Sequence, residues 1–69
     1  MQNLLRELRG QYAITQEQLG DRVGVSRQTI ISIENGKYNP SILLAYKIAQ
    51  CFNRHIEDVF LCEKELRGV

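Results

Sequence analysis

The residues with the most distinctive binding chemistry stand together in one short segment, residues 27–32, with the sequence RQTIIS. An arginine side chain can donate two hydrogen bonds to the edge of a guanine or bind a phosphate, and a glutamine can pair with the edge of an adenine. An isoleucine can pack on the methyl group of a thymine. The segment therefore offers side chains suited to contact the edges of bases, provided that one face of it is exposed.

Two short helices joined by a tight turn are predicted to position this segment. Thr15 can cap the first of these helices while Gln18 reaches back to the cap, which is a capping box, and apolar residues flank the cap as a hydrophobic staple. Ser26 can cap the second helix, and Gly24 suits the left-handed residue that ends the first. Helices are therefore predicted over residues 16–23 and 27–35.

The apolar residues of this region fix which side of the second helix faces outward. The inward set consists of Leu19, Val23, Val25, Ile30 and Ile33. By subtraction, the outward side carries Arg27, Gln28, Ile31 and Ser32. Two interpretations of Ile31 stay open, contact with a thymine methyl group or packing against a protein neighbour. Ser32 is equally open between a base contact and an ordinary surface position.

The remaining segments predict three more helices, over residues 2–12, 41–52 and about 56–61. The segment 41–52 is the most apolar, and a stripe at helical spacing makes it the central packing helix. Either Asn39, ahead of Pro40, or Ser41 can cap this helix, and the sequence leaves the choice open. The final residues, 62–69, form a tail that either extends the fifth helix or leaves the body as an arm.

Composition narrows the classes of protein that fit. A length of 69 residues predicts a single domain, and the five predicted helices make it an all-α domain over residues 1–69. A net charge of +1 gives no broadly basic surface. The sequence has two cysteines and one histidine, and it lacks a nucleophile–base pair or a phosphate-binding glycine loop. We therefore expect that the protein is not an enzyme and that it binds no metal ion and no cofactor. Without an apolar run of about 18 residues or a signal-peptide pattern, a cytoplasmic location is expected.

Taken in order, these motifs resemble the helix-turn-helix family of phage repressors (Cro and C1 type) and Xre-type regulators, in its short single-domain form. The resemblance rests on LRELR at 5–9, ITQEQL at 14–19, GVSRQTI at 24–30 and IENGKYNPS at 33–41. It covers about residues 3–60 and implies a five-helix, lambda-repressor-like DNA-binding domain with the helix-turn-helix at helices two and three. One departure is Gly20, which stands where the family mostly has alanine and is expected to loosen helix two slightly.

The resemblance implies a regulator of transcription that binds double-stranded DNA in a sequence-specific way, expected to repress as a homodimer on a two-fold operator. Base contacts are expected from Arg27, Gln28, Ile31 and Ser32. Contacts to the DNA backbone are expected from Gln16, Thr29, Lys37 and Tyr38. The dimer contact is expected in the apolar C-terminal segment, at Phe60, Leu61, Cys62 and Leu66, with Leu43 and Tyr46 as the second choice. The alternative function is that of an antitoxin or another protein-interaction module of the same fold.

Overall fold

The computed structural model of the protein describes residues 1–61. Along this part of the chain lie β1 (Gln2–Asn3), α1 (Leu5–Tyr12), α2 (Gln16–Val23), α3 (Arg27–Glu34), α4 (Ile42–Cys51), α5 (Ile56–Val59) and β2 (Phe60–Leu61). The predicted five-helix architecture, with a helix-turn-helix at α2 and α3, is confirmed. The ends of α3 and α4 differ from the predicted ones by a single residue.

The two ends of the described chain depart from the predicted helices. Gln2–Asn3 form β1, whereas a helix had been predicted from residue 2, and α5 stops at Val59 instead of continuing to residue 61. β1 and β2 pair in an antiparallel two-stranded sheet, with Asn3 opposite Phe60. The backbone N–H and C=O groups at both ends therefore pair across the sheet. At an isolated helix end, such groups would lack partners.

The predicted helix caps are present. The Thr15 hydroxyl accepts a hydrogen bond from the Gln18 N–H at 3.0 Å, and the Gln18 side chain accepts one from the Thr15 N–H at 2.9 Å. Ser26 accepts from the N–H of Thr29 at 3.2 Å. Of the two residues predicted as possible caps of α4, Ser41 is the one observed, since its hydroxyl accepts a hydrogen bond from the N–H of Leu44 at 3.1 Å. Each start of these three helices is thus fixed by a side chain adjacent in sequence.

The core lies where the five helices meet. Its buried members are Leu5, Leu8, Ile14, Leu19, Val23, Ile30, Ile33, Ala45, Ile48, Ala49, Phe52, Val59 and Phe60. The predicted inward residues of α2 and α3 are among them, and Val25 is half-buried against the cluster. This burial fixes the rotation of α3 about its axis. Within residues 1–61, no helix is both long and apolar enough to cross a membrane.

Candidate nucleic-acid interface

The turn between α2 and α3 closes tightly because two glycines permit it. Gly24 has a φ of 81°, in the left-handed region, and its N–H and that of Val25 both donate to the Gly20 carbonyl, at 2.8 and 3.0 Å. A Cβ on Gly20 would lie 2.6 Å from the Val25 carbonyl oxygen. Gly20 therefore lets the turn approach α2 closely, and an alanine there would require the turn to move outward.

The outward side of α3 carries the predicted base-contact residues. Arg27 and Gln28 are exposed, whereas Ile31 and Ser32 are half-buried. Gln28 and Ser32 line a shallow groove together with Tyr38, which follows α3 in the chain. Arg27 lines a second depression, on the side of α3 that faces the connection between α1 and α2. The structure thus places polar groups on both flanks of one exposed helix.

Two of the four residues predicted to contact the DNA backbone already have partners within the protein. The Thr29 hydroxyl lies 3.0 Å from the Ser26 hydroxyl and belongs to the cap of α3. The Gln16 side chain donates a hydrogen bond from Nε2 to Oε1 of Glu34, at 3.1 Å. The other two, Lys37 and Tyr38, are exposed in the loop after α3. Gln16 is the first residue of α2, and its backbone N–H and second side-chain N–H can still donate to another group. A contact from Gln16 to DNA would therefore be made while its hydrogen bond to Glu34 stays in place.

Glu34 is one of the residues whose role the sequence pattern did not reveal. Its side chain is 1% exposed and accepts from Nε of Arg9, from Nη2 of Arg9 at 3.2 Å, and from Gln16. Arg6 adds a longer contact, with its Nε 3.7 Å from Glu34. This group of four side chains, which we call the Glu34 cluster, joins α1, α2 and α3. The position of Glu34, four residues after the inward Ile30, is the sequence signal for an inward carboxylate.

The Glu34 cluster determines the protonation of its carboxyl group. Burial by itself raises the pKa of Glu34, but hydrogen bonds from Arg9 and Gln16 and the charges of Arg9 and Arg6 outweigh it. The pKa of Glu34 therefore lies below its ordinary value of 4.5. A carboxyl group with a lowered pKa in the folded protein stabilises the fold above the pKa it has in the unfolded chain. That contribution is lost as the pH falls through the lower folded value.

Acidification is therefore expected to weaken the fold partly through Glu34. As the pH falls below about 4.5, the unfolded chain takes up a proton at this position before the folded protein does, so the melting temperature falls. Circular dichroism melts at closely spaced pH values measure this fall, and Glu34→Gln is the matched variant because it cannot titrate. We expect a shallower pH dependence in the variant below pH 4.5; equal dependence in both proteins would show that Glu34 does not contribute.

The predicted dimer residues fall in three different situations. Phe60 is 1% exposed and belongs to the core, so the expectation that its side chain faces a partner is wrong. Its burial follows from the pairing of β2 with β1, which the sequence did not reveal. Leu61 lies in β2, and Cys62 and Leu66 lie outside the described residues. The second choice, Leu43 and Tyr46, is exposed by 63% and 53%, and Ile42 beside them by 83%.

Comparison with known proteins identifies the class. Residues 5–59 match the helix-turn-helix family model, and the chain belongs to this family of DNA-binding transcriptional regulators. An uncharacterized HTH-type transcriptional regulator of Archaeoglobus fulgidus is 54% identical over 65 residues, which cover 94% of this chain and 93% of that protein. The uncharacterized HTH-type transcriptional regulator YgzD of Bacillus subtilis is 51% identical, with coverage of 94% and 98%.

A solved structure agrees with this assignment. The crystal structure of the restriction-modification controller protein C.AhdI from Aeromonas hydrophila superposes with a TM-score of 0.74 at 30% sequence identity. The superposition covers 81% of this chain and 85% of that protein. The predicted resemblance to Xre-type helix-turn-helix regulators is therefore confirmed, and this family is one of transcriptional regulators and not a class of enzymes.

Proposed function

We propose that the protein is a sequence-specific double-stranded DNA-binding repressor that acts as a homodimer on a two-fold operator. The observation that carries the proposal is the exposed face of α3, where Arg27 and Gln28 stand free of the core at the N-terminal end of a helix whose rotation is fixed by burial. In a helix-turn-helix, this end of the second helix meets base edges in the major groove. Occupation of an operator by such a protein would exclude competing proteins from the same DNA.

The proposed contacts are of two kinds, contacts to base edges and contacts to the DNA backbone. Gln28 would pair with the edge of an adenine, and Arg27 would bind a guanine or a phosphate. Ser32 and Ile31 lie further along α3, and Ile31 is half-buried, which leaves part of its surface for a thymine methyl group. The DNA backbone would be held by Gln16, Thr29, Lys37 and Tyr38. Thr29 and Gln16 would do so while keeping their partners within the protein.

Because the net charge is small, substitution of single lysines can test which side of the protein contacts DNA. A net charge of +1 means that affinity depends on a few local cations and not on a basic surface. Lys37, in the loop after α3, lies on the proposed DNA side, whereas Lys47 is exposed on α4. The two lysines carry the same charge, so the pair of variants Lys37→Ala and Lys47→Ala separates local contact from overall charge.

We expect Lys37→Ala to weaken binding of all duplexes alike and to reduce the slope of log K against log salt concentration by about 1. Lys47→Ala is expected to leave the slope unchanged, because Lys47 belongs to α4 and not to α3 or the loop after it. Fluorescence anisotropy with a labelled duplex at four or more salt concentrations measures both. Equal slopes in the two variants would refute this placement of the DNA.

A second copy of the chain is the partner that the proposed function requires. One short recognition helix contacts only about four or five base pairs, which gives little specificity within a genome. We infer that the dimer contact includes the face of α4 formed by Ile42, Leu43 and Tyr46, where three large apolar side chains lie exposed within two turns. Leu61, Cys62 and Leu66 remain proposed members of the same interface.

A further inference from the structure

Asn3 uses both ends of its side chain to join separate parts of the protein. Its Nδ2 donates a hydrogen bond to the carbonyl of Ile33 at 2.9 Å, and its Oδ1 accepts one from the N–H of Leu5 at 3.1 Å. Its backbone lies opposite Phe60 in the two-stranded sheet. One partly buried side chain thus connects the last turn of α3, the start of α1 and the sheet.

The carbonyl that Asn3 binds belongs to the end of α3 that carries the loop. The last four carbonyls of a helix lack partners within the helix, so other groups must bind them. The Ile33 carbonyl accepts from the N–H of Gly36 at 3.0 Å as well as from Asn3. The neighbouring carbonyl, of Ser32, accepts from the N–H groups of Lys37 and Tyr38, at 3.0 and 3.2 Å. Asn3 therefore holds the point at which the loop is attached.

The residue that precedes β1 also contacts this loop directly. Gly36 has a φ of 76°, in the left-handed region, and a Cβ on it would lie 3.4 Å from the Met1 carbonyl oxygen. The Asn3 hydrogen bond holds the last turn of α3, and the close approach of Met1 lies at Gly36 in the loop that follows. The position of the loop is thus set from outside α3 as well as by the helix itself.

We propose that Asn3 is a positioning residue for DNA binding, which places the loop with Lys37 and Tyr38 against the DNA backbone. The inference rests on the proposed function, because it assumes that this loop contacts DNA. Asn3 lies outside residues 5–59, the part of the chain that matches the family model. The role therefore comes from the hydrogen bonds of this chain and not from the helix-turn-helix motif itself.

Two substitutions at Asn3 remove the donor to Ile33 while keeping an acceptor for Leu5. Asn3→Asp puts a carboxylate oxygen opposite the Ile33 carbonyl, so the two repel. Asn3→Ser keeps a short acceptor for the N–H two residues on but cannot reach Ile33, and it serves if the aspartate variant does not fold. Gln2→Ala is the matched control, because Gln2 is the exposed neighbour of Asn3 in β1.

We expect both Asn3 variants to bind duplex DNA about tenfold more weakly and with a salt slope reduced by about 1, through displacement of Lys37. Gln2→Ala is expected to stay within about twofold of the wild type. Anisotropy titrations are run at a temperature where circular dichroism shows each protein folded. A role in stability alone would lower the folded fraction but leave the salt slope unchanged.

The outcomes separate the two proposals. If both Asn3 variants bound DNA as tightly as the wild type and with the same salt slope, the positioning role would be overturned and the proposed function would stay intact. A wild-type protein without salt-dependent binding to duplex DNA would overturn the proposed function and, with it, this inference. A reduced slope in the Asn3 variants, with Gln2→Ala unchanged, supports both.

Discussion

Arg9→Ala is expected to lower the free energy of unfolding by about 3–5 kcal/mol, because it leaves a buried carboxylate without its main partner. Glu34 is 1% exposed at its side chain, and Arg9 contacts both of its carboxylate oxygens. Arg9 also donates from Nη1 to the carbonyl of Ile14 at 3.1 Å, which fixes the connection between α1 and α2. The substitution therefore removes an ion pair and a loop contact together.

An effect of this size would remove much of the stability of the protein. A chain of 69 residues has a free energy of unfolding of roughly 3–10 kcal/mol. Urea denaturation followed by circular dichroism measures the change. Arg6→Ala is the matched control, since the Arg6 side chain is 66% exposed and its pair with Glu34 is longer, so less than about 1 kcal/mol is expected. Equal losses in the two variants would contradict the role given to Arg9.

Gln28→Ala is expected to reduce discrimination between the preferred operator and a duplex changed at the contacted base by about 1–3 kcal/mol. Gln28 is exposed on α3 and outside the core, so the fold should be unaffected. Competition titrations with the two duplexes measure the discrimination. Gln11→Ala, at an exposed position of α1, is the control for loss of the same amide outside α3 and outside the proposed dimer face.

This prediction differs in kind from the one made for Lys37. Removal of a phosphate contact weakens binding of every sequence alike, whereas removal of a base contact relaxes the preference at one position. If Gln28→Ala bound its operator with the same sequence preference as the wild type, the rotation of α3 in the groove would have to differ from the proposed one.

The parts of the fold that the sequence predicted correctly depend on near neighbours in the chain. Thr15 and Gln18 are three residues apart, as are Ser26 and Thr29, so a cap can be recognised from the local pattern. The two strands could not be recognised in this way. Gln2–Asn3 form a strand only because Phe60–Leu61, at the far end of the described chain, pair with them.

The candidate interface shows the same division. The inward pattern of α3 was enough to predict which of its residues face outward, and Arg27 and Gln28 are indeed exposed. It could not show that Gln16 binds Glu34, because this partner lies on another helix. Nor could it reveal Asn3, whose partner Ile33 is placed beside it only by the packing of β1 against the end of α3.

Selection of bound duplexes from a random pool by the wild-type protein is the direct test of sequence-specific binding to a two-fold operator. We predict one enriched sequence made of two inverted half-sites, each of about four or five base pairs, with centres about one DNA turn apart. A single half-site without its inverted copy would contradict the homodimer. A pool that remains random after repeated rounds would contradict sequence-specific DNA recognition by α3 and would favour the alternative of a protein-interaction module.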